Sequence, residues 1–221
     1  MFRQLIGRLS NFRGGFKVAA DGVVPLAYNV NLNTPERAKY WLEQQRLIYP
    51  PKPDTKDPVT GAIIVRVPLP VPAHTNLGQP GGIDKKRPFG NIAIGQTLAH
   101  LWKKGRGKDS IGEQIVDMLP RTDAGKPTAT APMIALACAA LHSTLEDYTI
   151  QPFRRSEFEG VEDVYKLYLC LLEAIAQRKP QWYAEVLEQT LKNVSAEGSS
   201  KTTVTPSQRE QEALSYLDLS D

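Results

Sequence analysis

The residues with chemical potential are few, and their spacing decides what they can do. Three histidines, His74, His100 and His142, are scattered along the chain. No CxxC, HxxxH or HExxH spacing gathers ligand atoms onto one face, so no metal site is expected. His100 runs straight into Leu101 and Trp102 and reads as a packed or surface histidine. His142 is followed by Ser143, with Asp147 one helical turn further on, which are the residue types of an acyl-transfer triad. Neighbours on a single helix cannot reach triad geometry by themselves, and no GxSxG elbow is present. A polar cluster at a helix end is the expectation there, and no catalytic residue is assigned. Gly105-Arg106-Gly107-Lys108 looks like part of a phosphate loop, but the pattern GxxxxGK[ST] fails at Trp102 and Asp109. No cofactor is expected. Glu157, Glu159, Glu162 and Asp163 crowd ahead of a helix, where acids already have a structural reason in the positive end of the helix dipole.

What remains is basic charge. Lys103, Lys104, Arg106 and Lys108 place four cations in six residues, and Lys85, Lys86 and Arg87 add three more. If a short helix separates the two clusters they lie about 20 Å apart by helical rise. Such loops grip phosphate backbones without reading sequence, so these seven residues form the candidate anion or nucleic-acid contact set. A helix-turn-helix around 103–108 is opposed by Glu113 and Asp117 on the outer face of its second helix. The net charge of +3 hides an asymmetry. Residues 1–130 carry 19 basic against 10 acidic side chains, net +9, and residues 131–221 carry 8 against 14, net −6. A basic half joined to an acidic half suits an anionic partner or contact between copies.

The elements that must position these residues read as helices. Thr130 and Pro132 open an uncharged run, Met133 to Leu141, that is apolar on every side, and such a helix is buried on every side. Residues 130–148 are therefore expected to form the central helix of an all-α, single globular domain of six to seven helices. Leu5, Leu9, Phe12, Phe16, Ala19 and Val23 recur at helical spacing, with Arg3, Arg8, Arg13 and Lys17 mostly off that face. Gly14-Gly15 weakens this first helix or admits a close backbone. Thr34-Pro35-Glu36 starts a second helix, with Ala38, Trp41, Leu42 and Gln45 inward and Tyr49-Pro50-Pro51 as its stop. Phe89–Trp102 and Ser110–Leu119 give two more. Val161, Val164, Tyr165, Tyr168, Leu172 and Ile175 line another, and Pro180 opens the last, with Tyr183, Val186, Leu187, Leu191 and Val194 inward. The domain is expected over 1–194. Within it residues 50–88 form a Pro-rich arm that can hold a short strand at Ala62–Val67, and 195–221 form a tail.

Of the chain 41% is apolar, enough to bury a core without disulfide or metal, and no run of 18 apolar residues exists to span a membrane. No secretory signal opens the sequence, and Cys138 and Cys170 both sit in apolar helical patterns. Residence inside the cell, cytoplasmic or nuclear, is expected. Four segments in order, RLSNFRGGFKVAA, RPFGNIAIGQTLAHLW, APMIALACAALHSTLEDY and EDVYKLYLCLLEAIAQRKPQWYAEVLEQTL, resemble a helical domain of unknown function expanded in mushroom-forming basidiomycete fungi. The resemblance runs from Leu5 to Val194, except for the Pro-rich stretch Pro50–Gly82. It implies an all-helical domain and carries over no activity or site residue. The expectation is a non-enzymatic binding or scaffold domain that meets protein partners or copies of itself, with no small molecule implied. The alternative is nucleic-acid binding through the loops at 85–87 and 103–108.

Overall fold

The computed structural model describes residues 2–51, 55–56, 63–64, 83–102, 119–122, 124–158 and 160–199. At its centre is α4 (Ala131–Thr149). Thr130 stands in extended backbone, and its Oγ1 accepts from the Met133 N–H at 3.4 Å, which satisfies one orphan donor of the first turn. From Ile134 to Leu141 every side chain but Leu136 is buried, and Leu145 follows. Fully buried Ile134, Leu141 and Leu145 each stabilise the fold by about 1.5–3 kcal/mol. Between them Ala135, Ala137, Ala139 and Ala140 are short enough to let neighbours approach from several directions. Those neighbours are α1 (Phe2–Ala27), α2 (Pro35–Leu42), α3 (Ile92–Trp102) and α5 (Glu162–Arg178). The sixth α-helix among the described residues, α6 (Pro180–Ser199), closes the assembly against α3 and α5. The fold is all-α and built around a buried central helix.

Helix α1 runs through Gly14 and Gly15 without a break. A methyl group added at Gly14 would meet nothing within 4 Å, so no backbone approaches there. Phe16, Ala19, Ala20, Val23 and Val24 form its buried stripe, as their spacing demands. Lys17 departs from expectation. It is 3% exposed, because Asp147 of α4 lies opposite and neutralises it.

The second helix is shorter than its apolar pattern suggests. It ends at Leu42, and Glu43–Ile48 tightens into a 3₁₀ segment. Thr34 does not cap it through its side chain; Thr34 Oγ1 instead closes a turn with Asn31, accepting from its N–H and donating to its carbonyl. Beyond it the arm carries a two-residue antiparallel ladder, β1 (Thr55–Lys56) against β2 (Ile63–Ile64), with Thr55 opposite Ile64. The arm's ends meet where Asp84 N–H donates to the Pro50 carbonyl at 2.9 Å and Pro51 bridges Ile83. The rest of the expected Ala62–Val67 strand, the Ser110–Leu119 helix up to Met118, and residues 200–221 lie outside the described residues. Helix α6 continues past Val194 to Ser199. Among the described residues no helix is long and apolar enough to cross a membrane.

Candidate functional site

Three non-glycine residues with left-handed backbone surround one groove. Gln44 and Gln45 have φ of 53° and 56°, and Phe89 has φ of 61°. Each such conformation costs about 1–3 kcal/mol and persists only where the surroundings over-determine it. Here they do. Tyr168 donates its hydroxyl to Gln45 Oε1 at 2.5 Å. Asn91 Nδ2 donates to the carbonyls of Leu47 and Tyr49, and Tyr28 also donates to the Leu47 carbonyl. The Phe89 ring sits edge-on to Tyr168 at 6.4 Å between centroids. Gly90 is required next to it, since a methyl group there would come within 2.9 Å of the Arg87 carbonyl. The corner at Gln44–Tyr49 and the turn at Pro88–Phe89 thereby face the C-terminal half of α5 across an open groove of about 330 Å³. Ile48, Phe89, Leu171, Ala174 and Ile175 give it aliphatic and aromatic walls. Gln44, Gln45, Arg178 and Lys179 add amides and two cations. Such a volume lies at the lower end of ligand sites. A second cavity, beside Asn91 and Thr190, is about 20 Å³ and holds one water at most.

Behind the groove Tyr168 belongs to a chain of polar contacts. His142 Nδ1 lies 3.0 Å from its hydroxyl, and His142 Nε2 lies 3.4 Å from Glu146 Oε1. Because Tyr168 donates to Gln45, Nδ1 of His142 is the donor to Tyr168. Burial pushes the Tyr168 phenol far above its usual range, with Cys138, Tyr28 and Glu146 adding to the shift, so the O–H is never lost at physiological pH. Burial likewise raises the Tyr28 phenol and the Cys138 thiol. The folded chain keeps these three protons, whereas the unfolded chain releases the thiol above about pH 8.5 and the phenols above about pH 10. Stability is therefore full below those values and declines as pH rises past them. Urea midpoints between pH 7 and 11 should begin to fall near pH 8.5 in the parent chain and only near pH 10 in Cys138→Ala. A parent midpoint flat to pH 11 contradicts this burial.

The second polar cluster joins α1 to α4. Lys17 Nζ donates to Asp147 Oδ2 at 2.6 Å and to Ser143 Oγ at 3.0 Å. Asp147 Oδ1 accepts from both the backbone N–H and the hydroxyl of Ser156, at 3.1 and 2.6 Å. A serine beside a lysine is an arrangement known to serve acyl transfer. Here the ammonium spends its protons on Asp147 and Ser143, with no lone pair left to activate the hydroxyl. His142 belongs to the Tyr168 chain and Ser143 to the Lys17 cluster, so the two sequence neighbours do not work together. Among the described residues no three His, Cys, Asp or Glu side chains converge to hold a metal ion.

The family described as Domain of unknown function (DUF6532) matches residues 1–175. The chain belongs to the DUF6532 family. No curated protein and no solved structure matches it. The DUF6532 match takes in the strained corner, the groove walls up to Ile175 and both halves of the Lys17–Asp147 pair, while Arg178 and Lys179 lie just beyond it.

The basic residues singled out by sequence divide in two. In this DUF6532 chain Lys85, Lys86 and Arg87 stand exposed on the turn that leads to Phe89. Asp84 shapes that turn by accepting from the Lys86 and Arg87 N–H groups. Arg87 lies over the Trp182 ring at 5.5 Å, and Trp182 Nε1 donates to the Pro88 carbonyl. Lys103, Lys104, Arg106 and Lys108 fall outside the described residues. The groove itself escapes sequence reasoning, since Gln44 and Gln45 carry no turn signal. Pro88-Phe89-Gly90-Asn91 does carry one, and it marks one wall.

Proposed function

We propose that this DUF6532 domain is a binding module rather than an enzyme, and that it takes an acidic, leucine-bearing protein segment in the groove between the Gln44–Tyr49 corner and α5. The observation that carries the reading is the convergence of three strained residues, apolar walls and two cations on one groove. Aliphatic side chains of the ligand would meet Leu171, Ala174 and Ile175, which are half-buried, and its carboxylates Arg178 and Lys179. The chain's own EALSYLDL, residues 212–219, has that composition, which supports self-association between copies. Its two free cysteines, Cys138 and Cys170, support residence in the reducing interior of a cell, and the basidiomycete origin suggested by the helical segments belongs to the same proposal.

A fluorescence titration of the full chain with a labelled peptide of residues 208–221 tests the reading. We expect Arg178→Glu/Lys179→Glu to weaken binding about tenfold and to shift the light-scattering mass toward monomer at low salt. Equal affinity in parent and variant contradicts it. Nucleic-acid binding is the second reading, favoured by exposed Lys85, Lys86 and Arg87 beside the Trp182 ring. In the same assay oligonucleotides would then bind with affinity falling steeply between about 50 and 200 mM salt. Charge reversal at Lys85, Lys86 and Arg87 would abolish that binding, and reversal at Lys103, Lys104, Arg106 and Lys108 would weaken it.

A further inference from the structure

The segment from Ile150 to Glu157 is an exposed strap, held at a few points to α1, to α4 and to the loop after α1. Two pins are polar. Ser156 gives its N–H and its hydroxyl to Asp147 Oδ1; Arg155 Nη2 lies 2.6 Å from Asp21 Oδ2, while Asp21 Oδ1 accepts from Thr144 Oγ1 at 3.0 Å. Two more are weaker: Phe153 tilts against Tyr148 at 5.2 Å, and Gln151 donates to the Leu32 carbonyl at 2.8 Å. Asp147 is 2% exposed and already committed to Lys17, so the Ser156 hydroxyl is an exposed donor resting on a buried carboxylate.

We propose that Ser156 is a phosphorylation site and that its modification releases the strap. A kinase transfers the γ-phosphoryl of ATP: a bond forms between Ser156 Oγ and phosphorus, the bond from phosphorus to the β–γ bridging oxygen breaks, ADP leaves, and the hydroxyl proton passes to solvent. The product acts on both charged pins at once. A donor becomes a group of charge about −1.5 to −2 set against Asp147, which repels it. The same phosphate competes with Asp21 for adjacent Arg155, and Arg154 stands beside it in sequence. Access to the kinase needs only local opening, because the exposed strap has few apolar contacts to break. Glu157 and Glu159 follow the serine at the first and third positions and suit a kinase whose substrate cleft is basic. Lys17 keeps Asp147 and Ser143 as partners throughout, so the core is spared. Nothing in this inference depends on the groove.

The test compares three full-length chains: the parent, Ser156→Ala, and the chain carrying phosphoserine placed at position 156 during synthesis. Hydrogen exchange is read over residues 150–158 and over α3 as an internal control. We expect exchange in the strap to rise at least tenfold with phosphoserine, less than threefold in Ser156→Ala, and to stay unchanged in α3. Phosphoserine behaving like the parent or like Ser156→Ala overturns the release. Incubation of the parent with ATP and a kinase of basic cleft should label Ser156, read by peptide mapping. Labelling elsewhere only, or none, overturns the site.

Discussion

Asp147→Ala should cost about 3–5 kcal/mol, because it leaves the Lys17 ammonium buried without its counter-charge. Against the roughly 5–15 kcal/mol that holds a domain of ordinary stability, that is a large share of the total. The mechanism is separable from mere loss of packing. Lys17 is 3% exposed and has Ser143 as its other partner, and a neutral hydroxyl does not balance a charge. Replacing both members, Lys17→Met with Asp147→Leu, removes the desolvated charges together and should recover most of the loss. Urea midpoints of the parent, the single variant and the double variant decide it. A double variant as unstable as Asp147→Ala would mean that shape, or the Ser156 bonds to Asp147, matters more than charge.

Tyr168→Phe is the second large effect, and it should lower both stability and binding. The ring still fills its fully buried site and still meets Phe89 edge-on. What disappears is the hydroxyl that accepts from His142 Nδ1 and donates to Gln45 Oε1. Two polar atoms lose a partner, at a cost of about 1–3 kcal/mol. Gln44 and Gln45 can then relax out of their left-handed backbone, and the groove loses one wall. Peptide affinity should fall about tenfold while the helical circular dichroism is unchanged. Affinity equal to that of the parent would show that the corner is held by Asn91 and Tyr28 alone.

The central helix was legible in the sequence because burial leaves a composition signature. Nine uncharged residues behind Thr130 and Pro132 have only one stable place, and α4 occupies it with its cap formed as expected. The part of the α1 stripe from Phe16 to Val24 was legible for the same reason, while the side chains of Leu5, Leu9 and Phe12 lie outside those described. Lys17 was not, because a lysine one step from Phe16 looks solvated until its partner, 130 residues away, is known. The second helix misled differently. Ala38, Trp41, Leu42 and Gln45 fit a continuous helical face, yet the backbone turns at Gln44 and Gln45, where long-range bonds from Tyr168, Asn91 and Tyr28 override local propensity. The groove arises from that override, so no local reading of residues 34–50 could show it. The basic residues 85–87 were visible as charge, but the Trp182 ring beneath Arg87 comes from a helix 95 positions away and was not.

On the proposed function, the groove between the Gln44–Tyr49 corner and α5 holds the ligand of this domain. Methyl NMR of isoleucine-labelled full-length protein, titrated with the peptide of residues 208–221, tests it most directly. The signal of Ile175, half-buried in the groove wall, should shift with saturation, while that of Ile134, buried in α4, should not. Saturable shifts that bypass Ile175, or none at millimolar peptide, would contradict it.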